Sequence, residues 1–321
     1  MPRSSSRPST TTSTSMQLSA THACAMTVQQ ALTVFLTREV AARSYASATR
    51  RTYTHDLREF LRTLPEDTLT EQLSLAQVKQ YLATLDQRGL SSATKRRKMA
   101  ALKSFIRFLE EEEPPLLSPS FSRKIPLPQV ERREPRYLSK VEYQAVLREA
   151  STHSRDAAML EVFLQTGMRL SELVGLRIED VELPEKPKRA SGSEWTGTLR
   201  VQRKRRKVQY LPLNARACQR LQAYLKVRPS TDDPHVFLTK YRTPITSRSV
   251  QKVFKKYAEA AGVSWAHPHT LRTTFITHHI ANGSPITDIK DMVGHENLAT
   301  TNVYAGLVKS SQRKSMQDHA L

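Results

Sequence analysis

A chain of 321 residues is long enough for two domains, each with its own hydrophobic core. Because no stretch approaches the roughly 18 apolar residues of a membrane span, the sequence excludes a transmembrane helix, and its two cysteines exclude a disulfide framework. The 50 lysines and arginines against 30 acidic residues give a net charge of +20, which makes a polyphosphate the first candidate partner and an anionic membrane the rival.

The chain opens with a low-complexity tail, residues 1–26, in which ten of the first fifteen residues are serine or threonine. Too few apolar side chains are present to offset chain entropy, so a disordered tail is predicted. The tail lacks the continuous apolar core of a signal peptide, although its serine-rich, acid-free composition also resembles that of a transit peptide.

Residues 27–113 predict a compact domain of four amphipathic helices with short connections. Thr27 with Gln30 has the spacing of a capping box at the start of the first helix. Ser74 with Gln77 has the same spacing at the start of the third. Apolar residues recur at three- and four-residue intervals after each start, as on the buried face of a helix.

A proline-rich stretch at 114–136 without sustained periodicity predicts an interdomain linker. Residues 137–310 then mix helices with a β-hairpin. The predicted helices lie near 140–150, 155–166, 171–177, 214–226, 247–261, 268–281, 285–293 and 300–309, and the hairpin pairs 198–202 with 208–213. Because βαβ alternation is missing, we predict a mainly α protein with a small antiparallel β-sheet, a helical first domain and an α+β second domain.

The segment "TGMRLSEL", 166–173, places an arginine at a tight corner between two helices. Gly167 has the position of a helix end, and Ser171 can open the next helix. Arg169 could therefore hold a phosphate with its paired donors, next to the free N–H groups of a helix N-terminus. Glu172 could orient neighbouring side chains. A surface Arg–Glu pair is the alternative for this segment alone.

Two further motifs supply more cations and a nucleophile. In "HPHTLRTTF", His269 and Arg272 stand three residues apart and share one face of a helix. In "VGHENLATTNVY", His295 follows a helix-ending glycine and Tyr304 lies on the next helix. A tyrosine becomes a nucleophile once its proton is removed and positive charge stabilises its oxygen, although a core tyrosine is the plainer alternative. Neither motif has metal-ligand spacing, so no metal site and no cofactor are expected.

These motifs, in this order, resemble the catalytic signature of the tyrosine recombinases, or phage-type integrases, which include Xer-like site-specific recombinases. The signature residues are Arg169, Glu172, Lys204, His269, Arg272, His295 and Tyr304. The resemblance also covers the helices of the first domain. It implies a SAM-like core-binding domain at 27–113, a catalytic domain at 137–310 and a C-terminal tail at 311–321.

The activity that the resemblance implies is site-specific recombination or integration of DNA, as in mobile elements. Tyr304 would attack a DNA phosphate and form a 3′-phosphotyrosyl intermediate, without metal or ATP. Arg169, Arg272 and His295 would hold the phosphate oxygens as their negative charge redistributes.

The resemblance also implies how protons are handled. Lys204, at the hairpin tip, would protonate the departing 5′-oxygen, and His269 would manage the proton of the tyrosine. Glu172 would orient its neighbours. The hairpin tip of the family usually holds glycines around its lysine, whereas "QRKRRK" has none, so Lys207 is an alternative to Lys204.

Double-stranded DNA at a specific recombination site is the implied partner, bound by a homo- or hetero-tetramer in the cytoplasm, associated with the nucleoid and not with a membrane. Two basic runs, at the start of the fourth helix and at the hairpin tip, are candidate DNA contacts. Their residues are Lys95, Arg96, Arg97, Lys98, Arg203, Arg205, Arg206 and Lys207. A solvated surface is the alternative for each run.

Two other functions fit parts of the pattern. A type IB topoisomerase shares the chemistry but relaxes supercoils without a partner duplex, and the compact helical domain before the linker favours a recombinase. A DNA-binding regulator without catalysis would need no nucleophile, and the complete set of signature residues argues against it.

Overall fold

The computed structural model describes residues 26–38, 47–131, 134–185, 195–203 and 207–294, together with Tyr304 and Gly306. The chain divides into two units, Met1–Arg132 and Arg133–Leu321, each with a hydrophobic core of its own. Most of the described residues are helical and the second unit adds a small antiparallel sheet, which confirms the predicted fold class. Within these residues no helix is both long and apolar enough to cross a bilayer.

The first unit is built from helices that begin where the sequence offers caps. They are α1 (Val28–Thr37), α2 (Ser47–Leu61), α3 (Leu75–Gln87) and α4 (Ser92–Glu111), with short 3-10 turns at Thr70–Gln72 and Phe121–Lys124. The Thr27 hydroxyl accepts from the Gln30 N–H, and the Gln30 side chain accepts from the Thr27 N–H. Ser74 and Gln77 make the same exchange. Both predicted capping boxes are therefore confirmed.

The basic run at 95–98 lies on α4 and is partly used inside the unit. The Lys98 side chain is 5% exposed, and its ammonium lies 2.9 Å from Asp56 Oδ1 and 2.8 Å from Glu59 Oε2. To reach a DNA phosphate, this buried ammonium would have to give up both carboxylates and leave the interior of the unit. These ion pairs do not favour a DNA contact by Lys98, which stays a prediction. The other three residues of the run are at least partly exposed, and their DNA contacts stay predictions.

The second unit surrounds a central helix with further helices and one sheet. Its elements are α5 (Lys140–Ala150), α6 (Ser154–Thr166), α7 (Leu170–Val174), β1 (Val181–Glu182), β2 (Trp195–Gln202), β3 (Val208–Asn214), α8 (Ala215–Val227), α9 (Ser247–Ala260), α10 (Pro268–Ala281) and α11 (Ile286–Val293). A 3-10 turn at Ile178–Asp180 precedes β1. Tyr304 and Gly306 are helical, as predicted for 300–309, and the rest of that segment lies outside the described residues.

The predicted hairpin is confirmed, and one further strand joins it. β2 and β3 pair antiparallel with Gln202 opposite Val208, so the connection between them runs from 203 to 207. β1 pairs with the other edge of β2 and was not predicted, because two residues are too few for alternation to show. Leu199 and Val201 of β2 are buried, which sets the inward-facing side of the strand.

The corner at the end of α6 brings two helices together. α6 is buried along nearly its whole length and packs against α8 and α10. It ends at Gly167, whose φ of 56° lies in the left-handed region. A Cβ at this position would lie 2.4 Å from the Phe275 ring of α10. Glycine therefore lets α10 lie close to the turn from which α7 begins.

Candidate active site

Arg169 stands at the N-cap of α7, one residue before the helix begins at Leu170. Its backbone N–H donates to Glu172 Oε2 at 2.7 Å, and its Nη1 donates to Glu172 Oε1 at 2.9 Å. Glu172 lies in the first turn, where the helix dipole favours a carboxylate. The pair therefore fixes Arg169 at the corner, with 36% of its side chain still exposed for a ligand. The surface-pair alternative does not hold, because the Glu172 side chain is only 8% exposed.

Arg272 is the most deeply buried cation of the site. It projects from α10 with 2% exposure, and its Nη1 and Nη2 donate to Gly167 O at 2.6 Å and to Val293 O at 2.7 Å. Burial, followed by the positive charge of Arg169, lowers the pKa of Arg272 to about 10, so the guanidinium stays charged at pH 7. Carbonyl dipoles hold this cation in place, and they leave its charge available to an anion.

The turn after α11 joins the two arginines. α11 ends at Val293, and Gly294 follows in the left-handed region with a φ of 66°. The Gly294 carbonyl accepts from Arg169 Nη2 at 2.6 Å, while the neighbouring Val293 carbonyl accepts from Arg272. Two cations that are far apart in the sequence are therefore fixed to adjacent carbonyls. His295 is the next residue of the chain and lies outside the described residues.

Tyr304 lies against the same turn. The residue is 8% exposed and packs in a cluster with Phe275, Ile289 and Val293, among others, from α10 and α11. Its phenol interacts electrostatically with Arg272, since a negative charge on Tyr304 raises the pKa of that arginine. Tyr304 is therefore both packed, as a core tyrosine would be, and within the field of a buried cation.

His269 lies one helical turn before Arg272 on α10. Burial lowers the pKa of His269, and the charges of Arg272, His267 and Arg169 lower it further. The imidazole is therefore neutral at pH 7 and able to accept a proton. This arrangement brings the predicted His–Arg pair of "HPHTLR" to one side of the corner.

Arg203, predicted as a DNA contact, is instead part of the buried site. Its side chain is 8% exposed, and Nη1 donates to Glu172 Oε2 at 2.6 Å. A guanidinium desolvated and paired in this way would have to leave Glu172 to bind a DNA phosphate, so these contacts do not favour the predicted DNA contact, which stays a prediction. Burial lowers the pKa of Arg203, and the charge of Glu172 opposes the shift. The alternation of Leu199 and Val201 could have placed residue 203 on the inward face.

The structure brings together Arg169, Glu172, His269, Arg272 and Tyr304. Lys204, Arg205, Arg206 and His295 lie outside the described residues. Lys207, the alternative hairpin lysine, is exposed, and its carbonyl accepts from the Arg203 N–H at 2.7 Å. Within the described part of the chain, no group of three or more His, Cys, Asp or Glu side chains is placed to hold a metal ion.

Family comparisons cover both units. Residues 136–310 match the phage integrase family, and residues 33–113 match the N-terminal SAM-like domain of phage integrases. Similar relatives include the tyrosine recombinase XerC of Bacillus pumilus, which is 30% identical over 86% of this chain and 92% of the relative. XerC of Halalkalibacterium halodurans is 31% identical over 83% of this chain and 89% of the relative.

Solved structures with the same fold include two recombinases on DNA. A λ integrase dimer bound to a COC′ core site matches with a TM-score of 0.67 and 17% identity, over 87% of this chain and 77% of that chain. A post-cleavage complex of XerH with a palindromic difH substrate matches with a TM-score of 0.68 and 19% identity, over 85% and 80% of the two chains. At these identities the likeness shows the fold alone.

Proposed function

Because the chain belongs to the phage integrase family of tyrosine recombinases, we propose that Tyr304 cleaves DNA by attacking a backbone phosphate. The protein is a site-specific recombinase, an enzyme that cleaves and rejoins DNA. In the proposed step a bond forms between the phenolic oxygen and phosphorus while the bond from phosphorus to the 5′-oxygen breaks. The product is a 3′-phosphotyrosyl link and a free 5′-hydroxyl. Rejoining by a 5′-hydroxyl of a partner duplex completes recombination.

The observation that carries this proposal is the meeting of two arginines and a tyrosine at one turn. Arg169 and Arg272 are fixed to the carbonyls of Gly294 and Val293, and Tyr304 packs beside them. Preorganised cations at a buried site stabilise the negative charge that builds on the phosphate oxygens. We propose that these two guanidiniums, with His295, bind the non-bridging oxygens of the scissile phosphate.

The remaining roles concern protons and orientation. The lowered pKa of His269 makes it a proton acceptor at neutral pH, so we assign it the proton of Tyr304. Lys204 is assigned the protonation of the departing 5′-oxygen. Glu172, which holds both Arg169 and Arg203, is a positioning residue.

The direct test is covalent capture from a DNA library. The probe is a pool of duplexes with randomised arms and a nick next to the scissile position, so that cleavage releases a short fragment and leaves the protein attached. We expect captured DNA joined to the protein at Tyr304, read by mass spectrometry of the trimmed peptide, and sequencing of the captured DNA gives the target site. This nicked target is called the suicide duplex below. Recovery of no adduct, or of one on another residue, contradicts the proposal.

Cleavage of the suicide duplex is expected to need no metal ion. The two arginines supply the charge that Mg²⁺ supplies in two-metal nucleases, so an excess of EDTA over any bound metal should leave capture on the suicide duplex unchanged. The measurement is single-turnover capture with and without chelator, and a parallel incubation with added Mg²⁺ is the control. A cleavage rate that falls with EDTA and returns with Mg²⁺ would assign the protein to another mechanism.

The role of the hairpin lysine can be tested by changing the leaving group of the DNA. Lys204→Ala should slow cleavage by roughly 10²- to 10⁴-fold, because the 5′-alkoxide would have to leave unprotonated. A suicide duplex with a 5′-thio leaving group needs no proton, so the variant should cleave it at close to the wild-type rate. Lys207→Ala is the matched comparison. Loss and thio rescue in the Lys207 variant alone would move the role to that residue.

The proposed partner is double-stranded DNA, held by a tetramer that brings two duplexes together. The net charge of +20 supports phosphate contact, and the partly or fully exposed basic residues Lys95, Arg96, Arg97 and Lys207, with Arg205 and Arg206, are the proposed contacts. We place the activity in the cytoplasm, at the nucleoid. Joining of two different duplexes distinguishes this function from relaxation of a single supercoiled circle, the activity of a type IB topoisomerase.

A further inference from the structure

We propose that Arg203 is a positioning residue: it fixes the end of β2 to the turn that holds the phosphate-binding arginines, and the role proposed for Lys204, the next residue of the chain, depends on it. The proposal rests on the role assigned to Lys204 above. It concerns a residue outside the signature set, one that the sequence alone placed among exposed DNA contacts.

The Arg203 guanidinium donates hydrogen bonds to three other segments of the unit. Arg203 Nη1 donates to Glu172 Oε2 of α7 at 2.6 Å and to Val293 O at 3.2 Å, and Nη2 donates to Met292 O at 2.8 Å. Its Nε donates to Gln209 Oε1 of β3 at 2.9 Å. α7 carries the Glu172 partner of Arg169, and the end of α11 carries the carbonyls that hold both phosphate-binding arginines. Arg203, with which the connection between β2 and β3 begins, is therefore hydrogen-bonded to the same turn as these two arginines.

Packing reinforces these bonds. The guanidinium lies directly over Gly294, where an added Cβ would come within 3.1 Å of Arg203 Nε and 3.2 Å of its Cζ. With 8% of the side chain exposed, little solvent is present to replace a lost partner. Removing the side chain would leave Glu172 with one arginine and would free the Met292 carbonyl.

The base of the loop is closed by a second set of contacts. The Arg203 N–H donates to Lys207 O at 2.7 Å, so both ends of the 203–207 connection are joined. Gln209, on the partner strand, donates its side-chain amide to the Asp291 carbonyl of α11. Lys204 thus follows directly after a residue that is fixed through both its backbone and its side chain. A general acid works only within hydrogen-bond reach of the atom it protonates, and anchoring the residue before it limits where it can lie.

Arg203 could affect the cleavage rate in two distinguishable ways. If it positions Lys204, its loss impairs protonation of the 5′-oxygen as the bond from phosphorus to that oxygen breaks. If it acts only through Glu172 and Arg169, its loss impairs binding of the phosphate oxygens, whichever leaving group is present. A 5′-thio leaving group departs as a thiolate without a proton, so it relieves the first defect and not the second.

The experiment compares Arg203→Ala, Arg203→Lys and wild type on suicide duplexes with 5′-oxygen and 5′-thio leaving groups, in single-turnover reactions. We expect Arg203→Ala to cleave the oxygen duplex roughly 10²-fold more slowly than wild type and the thio duplex within about fivefold of wild type, as expected for loss of a general acid. Arg203→Lys keeps a buried cation beside Glu172 but cannot make all four bonds, and we expect an intermediate rate on the oxygen duplex. If the alanine variant does not fold, the rates of Arg203→Lys on the oxygen and thio duplexes are compared with those of wild type in its place.

Arg200→Ala is the matched control. Arg200 lies on the same strand and forms an ion pair with Asp180 at 2.8 Å, but its side chain is 47% exposed. Its variant should match wild type on both duplexes. Equal slowing of Arg203→Ala on the two duplexes, or no slowing on either, overturns the proposal. Wild-type capture at Tyr304 tests the proposed function separately, so an overturned Arg203 proposal together with normal wild-type capture leaves the proposed function standing.

Discussion

Tyr304→Phe is expected to abolish covalent capture of the suicide duplex while leaving DNA binding and thermal stability close to wild type. The substitution removes one oxygen, the proposed nucleophile. The ring packs against α10 and α11 with 8% exposure, and phenylalanine keeps that apolar contact. Capture on a denaturing gel, binding by gel shift and thermal unfolding together measure the result.

A matched variant makes the comparison sharper. Tyr241 is 75% exposed, and Tyr241→Phe should capture DNA at the wild-type rate. Persistent capture by the Tyr304 variant would show that another residue is the nucleophile. Loss of gel-shift binding together with capture would mean that the hydroxyl mainly supports the fold or the complex.

Arg272→Lys is expected to lower the single-turnover cleavage rate by roughly 10²- to 10³-fold, the usual effect of losing one preorganised donor at a site of developing charge. A lysine keeps a positive charge but cannot donate to Gly167 O and Val293 O at once while still facing a phosphate. The loss should appear in the cleavage rate and only weakly in DNA affinity, because the donor acts most strongly as charge builds on the phosphate.

The second unit offers a control for the loss of carbonyl contacts. Arg228 also donates to backbone carbonyls, with Nη2 at 2.7 Å from both Asp233 O and His235 O. Arg228→Lys and Arg272→Lys should each cost ~1–3 kcal/mol of folding stability through unsatisfied carbonyls, but Arg228→Lys should leave cleavage unchanged. If both variants lose cleavage in proportion to stability, Arg272 has a structural role only.

Local features of the fold could be read from the sequence because their partners lie within a few residues. The capping boxes at Thr27 and Ser74 connect residues three apart, and the hairpin follows from alternation on two neighbouring strands. The helical spacing of His269 and Arg272 likewise depends only on 3.6 residues per turn. The order of these motifs was enough to indicate the family, which the match of residues 136–310 then showed.

The sequence by itself determined the family and the residues proposed to carry the chemistry, and the tertiary structure decided which cations of the described residues are buried and paired. Lys98 and Arg203 stand in basic runs that read as exposed, yet each is buried against carboxylates distant in the chain, Asp56 and Glu172. Burial and pairing of a charge depend on long-range contacts, which a local pattern does not contain. The convergence of Arg169 and Arg272 on one turn has the same origin, since α6, α10 and α11 must pack before their ends can meet.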